Sequence, residues 1–389
     1  MGIYNLLLGK ASGLSRQQKV DYALLFIAIL LQQIHPIYVC LVFSLILIRD
    51  ISYKSVYRPF CFVNCIVGII FFLFFYCGFT NGNMTFYNAV WFSIPSILAV
   101  ILGHNFAKKN NQPSQIISFL FLIAFFLAFQ HIVVTFQDIL QRGFINPDRY
   151  LLTEGDEDKQ RAITARTVEL SLAICGIVIV FIRKYSISKH LLLSFVVLAV
   201  AAELCTLHYL SRTGIAILAI AMSIGFFLKK GNIKQTIIIL GLCIITYYIF
   251  KNTELFSLFA DREIEGSSIA DAGGRTERWL LGLNMLIENP GGYNQAFYVH
   301  NFWLDFGRVG GLYSFILLVF FSVALLIKVI RKRNFIKIGE CNTFMILIFT
   351  ITFTATLFTE PVHSGAPSYM YFYFLFAGFV DGLYSINKS

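Results

Sequence analysis

The sequence predicts an all-α polytopic membrane protein, with about twelve transmembrane helices and a large outer loop between the ninth and tenth. Three observations predict it. The mean hydropathy is +0.72, and 57% of the 389 residues are hydrophobic while only 13% are charged, a balance that a soluble globule does not carry. Apolar runs of roughly 17–21 residues recur along the chain, each long enough as a helix to cross about 30 Å of hydrocarbon. The runs lack the alternation of a membrane barrel, and a helix satisfies its own backbone hydrogen bonds in lipid.

The first two predicted spans, 21–34 and 35–48, meet at His35-Pro36, because proline disfavours helix for the residue before it. One long helix over 21–48 is the alternative. Spans at 60–79, 84–103 and 116–136 follow. The outer loop 137–161 contains NPDRY and the acidic TEGDED run, a solvated segment rather than a cation site. Spans at 162–182, 190–210, 212–228 and 235–250 lead to the largest outer loop, 251–301, which is Gly-rich from Gly266 to Gly274 and helical from Thr276 to Glu288. Leu280, Leu283, Met285 and Leu286 would lay that helix on the membrane surface. The last spans are 302–327, 342–359 and 366–384, so the chain reads as a single integral membrane domain over 1–389.

Loop charge orients the set. With the N-terminus inside, most of the 31 basic residues gather in inner segments, among them Lys10, Arg16 and Lys19, Arg49, Lys108 and Lys109, Lys229 and Lys230, and the run Lys328 to Lys337. Only Asp21, Asp50, Glu340 and Asp381 offset them there. The positive-inside bias thus predicts twelve spans with both termini cytoplasmic, and merging the first two spans would break it. The net charge of +10 is then a consequence of topology; no basic patch interleaved with aromatics points to nucleic acid. No small-residue cleavage site after the first span marks a signal peptide.

All eight cysteines lie in spans or at the inner boundary, which leaves no outer disulfide framework. Cys61 and Cys65 are four apart, but no His or carboxylate completes a metal site. The 41 phenylalanines read as lipid-facing and packing residues, and Trp91, Trp279 and Trp303 as interface anchors. No internal repeat of the kind that builds many transporters is evident.

Ionisable residues within spans are functional hypotheses by default, and here they favour the outer side. Arg166 and Glu169 are three apart on one helical face, placed to pair. Glu203 and His208 lie in the outer half of the seventh span, Arg212 opens the eighth within SRTG (211–214), and Glu360 closes the eleventh within TEPVHSG. With GGRTERW (273–279), NPGG (289–292) and HNFWLDFGRVGG (300–311), these groups are expected around one outer-facing cavity. Each has a plainer reading: Arg212 as an interface or capping residue, Arg275 and Arg278 as loop charges, His300 as a hydrogen-bonding filler, Asp305 and Arg308 as a structural pair.

Arginines with few convergent carboxylates suit a phosphate or diphosphate held directly, since guanidinium supplies fixed bidentate donors without a metal. One His or Glu would then take the proton from an attacking hydroxyl, while arginines stabilise charge on a diphosphate leaving group.

At SRTG, GGRTERW, NPGG and HNFWLDFGRVGG the chain resembles the O-antigen ligase/polymerase superfamily of bacterial envelope glycosyl transferases, in motif order, span layout and large outer loop. The resemblance implies metal- and cofactor-independent transfer of glycan from undecaprenyl diphosphate to a sugar hydroxyl at the periplasmic face of the inner membrane. It implies catalytic roles for Arg212 and Arg275 on the diphosphate, for His300 as base or acceptor-site residue, and, by position alone, for Glu360. Arg278, Arg166, Asn301, Asp305 and Arg308 are the accompanying substrate-binding candidates. Only 25 residues separate Arg275 from His300, and the HNxxLDxxRxxG form resembles polymerases more than ligases. The implied partners are the undecaprenyl-diphosphate-linked oligosaccharide, the bilayer, a chain-length regulator and a flippase. A ligase acting on lipid A core, a transporter or flippase of an anionic or lipid-linked substrate, and a non-catalytic scaffold are the alternatives.

Overall fold

The computed structural model describes residues 16–32, 36–52, 62–144, 159–180, 189–209, 211–228, 275–294, 299–331, 340–359 and 367–385. Among these the regular structure is helical, with no strand: α1 (Arg16–Gln32), α2 (Pro36–Ser52), α3 (Phe62–Thr80), α4 (Phe86–Lys109), α5 (Pro113–Arg142), α6 (Lys159–Cys175, continued by a 3-10 turn Gly176–Val180), α7 (Lys189–His208), α8 (Arg212–Leu228), α9 (Arg275–Glu288), α10 (Phe302–Arg331), α11 (Glu340–Thr359) and α12 (Pro367–Ser385). Five stretches are long and apolar enough to cross a membrane: Val63–Thr80, α4, α5, α7 and α10. The predicted span 235–250, the Gly-rich stretch Gly266 to Gly274 and residues 145–158 of the predicted loop 137–161 lie outside the described residues.

Local signals set the helix limits. Pro36 and Pro113 each occupy a first helical position, where the missing N–H costs nothing. Thr85 caps α4, its hydroxyl accepting from the backbone of Asn88 at 3.2 Å. α1 and α2 are separate helices, and an ion pair proves their antiparallel course. Asp21, near the start of α1, meets Arg49, near the end of α2. In one continuous helix those residues would stand about 42 Å apart.

The core is made of helices with little or no free surface. Every residue of α12 from Tyr369 to Val380 is buried, and α5 is almost wholly buried from Gln115 to Ala128. α12 packs most closely on α4, where Gly378 and Gly382 sit four apart against Val100 and His104, and Gly103 sits against Leu375. A Cβ at any of the three would strike backbone, so these glycines let the two helices touch main chain to main chain. α6, α7 and α11 pack against the other side of α5, and α8 packs in turn on α6, α7 and α11.

Charged side chains tie the helix ends at one face of the bundle. Asp21, Asp50, Arg49 and Lys109 form one cluster across α1, α2 and α4, with both carboxylates buried. In the second, Asp381 of α12 takes His104 of α4 at 2.9 Å and Lys328 of α10. Buried charges are thus not confined to the predicted outer side. The inner ones, however, are paired with cations on neighbouring helices, as burial of a carboxylate requires.

α10 is broken near its start. Gly311 has φ 83° and ψ 170°, outside helical values. The NPGG turn fills the break: Leu312 N donates to Pro290 O at 2.8 Å, and Tyr293 N donates to Arg308 O at 2.8 Å. Gly292, at φ 98°, lies against the Arg308 carbonyl. From the α3–α4 turn, Asn81 Nδ2 donates to Gly291 O, and Asn83 Nδ2 to Val309 O at 3.4 Å. Before the break, residues 302–310 are buried except for half-buried Arg308. After it, Tyr313, Ile316, Phe320, Val323, Ile327 and Ile330 form an exposed apolar stripe, spaced three and four apart over about 26 Å. The lipid-suited stretch therefore starts some ten residues later than the predicted span 302–327, because the two glycine pairs divert the first turns of α10 into a protein-covered cap.

Ala at Gly311 would force a side chain into positive φ, with its Cβ 2.7 Å from the Pro290 carbonyl oxygen. Gly311→Ala is expected to destabilise the protein by about 2–3 kcal/mol, read as a lowered melting temperature in detergent. Gly68→Ala, where a Cβ meets nothing within 4 Å, is expected to leave it unchanged or higher.

Candidate active site

The site is built where the cap of α10 meets α9 and the end of α11. Asn301 starts α10: its Oδ1 accepts from Leu304 N at 3.1 Å and its carbonyl accepts from Asp305 N at 2.9 Å, the arrangement that an N-cap asparagine provides. Its Nδ2 donates to the carbonyl of Phe358 at 3.2 Å, at the far end of α11. One side chain thus closes the start of one helix and satisfies a terminal carbonyl of another.

His300 precedes this cap with φ 47°, the only positive φ at a non-glycine residue among the described ones. That conformation is uncommon for a residue with a Cβ. Its carbonyl oxygen accepts from Trp279 Nε1 at 3.2 Å. The Trp279 ring stands edge-on to Phe358, centroids 4.6 Å apart, and Phe358 also neighbours Trp303 at 6.1 Å.

α9 faces α10 with Arg275, Trp279, Gly282 and Leu286, spaced as one helical stripe. Gly282 and Leu286 are buried; a Cβ on Gly282 would lie 3.1 Å from Val299, and Leu286 fills the space beside Gly307. Arg275, half-buried on the same stripe, is one turn from Trp279. The expectation that Leu286 touches the membrane is corrected: it is core, and the exposed apolar residues of α9 are Leu280, Leu281 and Ile287. Trp303 is likewise not an interface anchor; it is buried, and its Nε1 donates to Ser322 Oγ at 3.1 Å.

Arg278 is exposed on α9, one turn from Arg275 and outside the buried stripe. Asp305 and Arg308 form the plainer of their two readings, a pair within α10: Nε and Nη2 of Arg308 both donate to Asp305 Oδ1, at 3.1 and 3.0 Å, with the carboxylate buried. Beside them, burial pushes the Tyr293 phenol above its ordinary range, with Arg308 opposing and Asp305 reinforcing the shift.

A second polar centre occupies the same end of the bundle. His208, at the end of α7, donates from Nδ1 to the Phe144 carbonyl at 2.8 Å, and its Nε2 faces Asp138 of α5 at 2.9 Å. Arg142 Nε lies 3.2 Å from the same carboxylate. Ser211 N returns to Thr206 O at 2.9 Å to close the α7–α8 hairpin, from which Arg212 opens α8. Glu169 meets His131 of α5, a partner from another helix that spacing along α6 did not disclose. The side chains of Arg166 and Arg212, and the whole of Glu360 and His363, lie outside the described residues. Glu360 directly follows the last residue of α11, two positions after Phe358.

The structure therefore brings Trp279, His300, Asn301 and Phe358 together, with Arg275 one turn from Trp279, and α8 packs on α11. It leaves the Arg278 side chain exposed and commits Arg308 to Asp305. Sequence reasoning took Trp279 for an interface anchor and passed over Phe358; the four-residue interval from Arg275 to Trp279 was the available signal. Among the described residues no three His, Cys, Asp or Glu side chains are grouped to hold a metal ion. No protein-family model and no curated protein matches the chain.

Asn301→Ala removes both the cap and the tie to Phe358 and is expected to cost about 1–3 kcal/mol. Asn301→Asp keeps the cap acceptor and loses the donor to Phe358, so its melting temperature should fall between. An Asp variant melting with the wild type would remove the Phe358 tie from the account.

Proposed function

We propose that the chain is a polytopic inner-membrane glycosyl transferase, with twelve spans and both termini cytoplasmic, that polymerises undecaprenyl-diphosphate-linked oligosaccharide repeat units at the periplasmic face. The observation that supports the reading is the hydrogen bond from the Trp279 indole to the His300 carbonyl, with Arg275 one helical turn from Trp279. In this reading the Arg275 guanidinium and the His300 imidazole share one site with Arg212, the first residue of α8.

The chemistry asks for two things. A diphosphate leaving group gains negative charge as the glycosidic bond breaks, and Arg275 with Arg212 would offset it through charge-assisted hydrogen bonds. The acceptor sugar hydroxyl loses a proton as it attacks C1, and His300 or Glu360 would receive it. No metal is required in this account, because fixed guanidinium donors do the work that Mg²⁺ does elsewhere. Asn301, Arg278, Arg166, Asp305 and Arg308 would contribute to the surrounding surface, with Asp305 and Arg308 acting on it through the pair that stiffens the α10 cap.

Deleting the protein from its host should convert an O-antigen ladder into core bearing a single repeat unit, restored by a plasmid copy. Bare core with accumulated lipid-linked polymer would instead identify a ligase, and bare core without outward-facing lipid-linked units a flippase. Arg275→Ala and His300→Ala are expected to reduce chain extension by a hundredfold or more (~10² or above) while membrane insertion persists. Arg275→Lys should rescue poorly, since it loses the bidentate fork. Chelators should leave the purified protein active; strict dependence on a divalent metal would overturn the arginine-based account.

A further inference from the structure

We infer that Trp279 is a positioning residue for His300, an inference that rests on the polymerase reading above for its consequence in activity. His300 occupies the left-handed region, which a residue with a side chain leaves for ordinary φ unless its surroundings hold it. Two neighbours hold it. On its C-terminal side, Asn301 is fixed by the α10 cap and by the Phe358 carbonyl. On its own carbonyl, the donor is Trp279 Nε1.

Rotating the 300–301 peptide out of this conformation would turn the His300 carbonyl away from Trp279 and swing the imidazole with it. The indole is itself fixed, half-buried on the α9 stripe and edge-on to Phe358. Trp279 also lies four residues from Arg275, one turn along the same face. Its single N–H therefore ties the backbone of His300 to the helix that carries Arg275. A misplaced base slows proton transfer without weakening donor binding, so the signature is a loss in kcat alone.

Trp303 supplies the control. It is also an indole near Phe358, but its Nε1 donates to Ser322 within α10 and not to His300. Phe at either position keeps one aromatic ring and loses the donor together with part of the indole's bulk, so the two variants share the loss of bulk and differ in whether His300 loses its donor.

The test uses the full chain in lipid nanodiscs, with undecaprenyl-diphosphate-linked oligosaccharide extracted from a host strain lacking this protein. Trp279→Phe should lower kcat about tenfold, hold KM for the lipid-linked donor within about twofold, and displace the pH profile of kcat. Trp303→Phe should leave all three as in the wild type. Amide hydrogen exchange over residues 299–302, which needs no turnover, should quicken in Trp279→Phe and not in Trp303→Phe. Unchanged exchange and unchanged kcat in Trp279→Phe, or equal losses in both variants, would overturn the positioning role. Absence of any extension by the wild-type chain would sink the polymerase reading alone, and the exchange comparison would still decide whether Trp279 holds His300.

Discussion

A helix that must stop being a helix at Gly311 organises one end of this protein. Leu312 N and the carbonyls of Arg308 and Val309 find their partners in Pro290, Tyr293 and Asn83, so the broken ladder is repaired from two other segments. Buried backbone polar groups demand such repair, and only a chain without a side chain at 292 and 311 can come close enough to provide it. Because the NPGG turn is fixed there, α9 is fixed against the α10 cap, and with it the Arg275–Trp279 stripe. The motif glycines are thus structural, and their role in any chemistry is to hold up the residues that carry it.

The opposite face solves a different problem by different means. There, helix ends are joined by ion pairs: Asp21 and Asp50 with Arg49 and Lys109, and Asp381 with His104 and Lys328. Each carboxylate is satisfied by cations from neighbouring helices, which fixes the hairpin of α1 and α2 and anchors α12 against α4 and α10. The site end depends on backbone carbonyls received by Asn301, Trp279 and His208. The site end adds ion pairs of its own, Asp305 with Arg308 within α10 and Asp138 with Arg142 within α5, so it differs from the opposite face in its main-chain acceptors rather than in a lack of charge pairing.

Helical class was legible because hydropathy and segment length express a requirement on every residue of a span. Pro36 and Pro113 could be read as starts for the same local reason. The grouping of Arg275 with His300 was legible only as motif order. Trp279 was read as an interface anchor since nothing in a single tryptophan announces which carbonyl it will face, and Trp303 was misread for the same reason. Spacing within one helix set Glu169 beside Arg166, whose side chain lies outside the described residues, and did not disclose His131 of α5 at the same carboxylate. Local rules count neighbours three and four apart and do not see across a bundle.

Composition and periodicity by themselves determined that this chain forms apolar helices, where most of them begin and end, and which polar motifs interrupt them; these are short-range consequences of burial and backbone hydrogen bonding. Tertiary structure alone decided that NPGG would seat in the break of α10, delaying its exposed apolar stripe to Tyr313 and placing residues 302–310 under protein cover. It alone decided that His300 would hold a left-handed backbone beneath the indole of Trp279. Both outcomes depend on contacts between segments distant in sequence, whose geometry is fixed only when the helices pack.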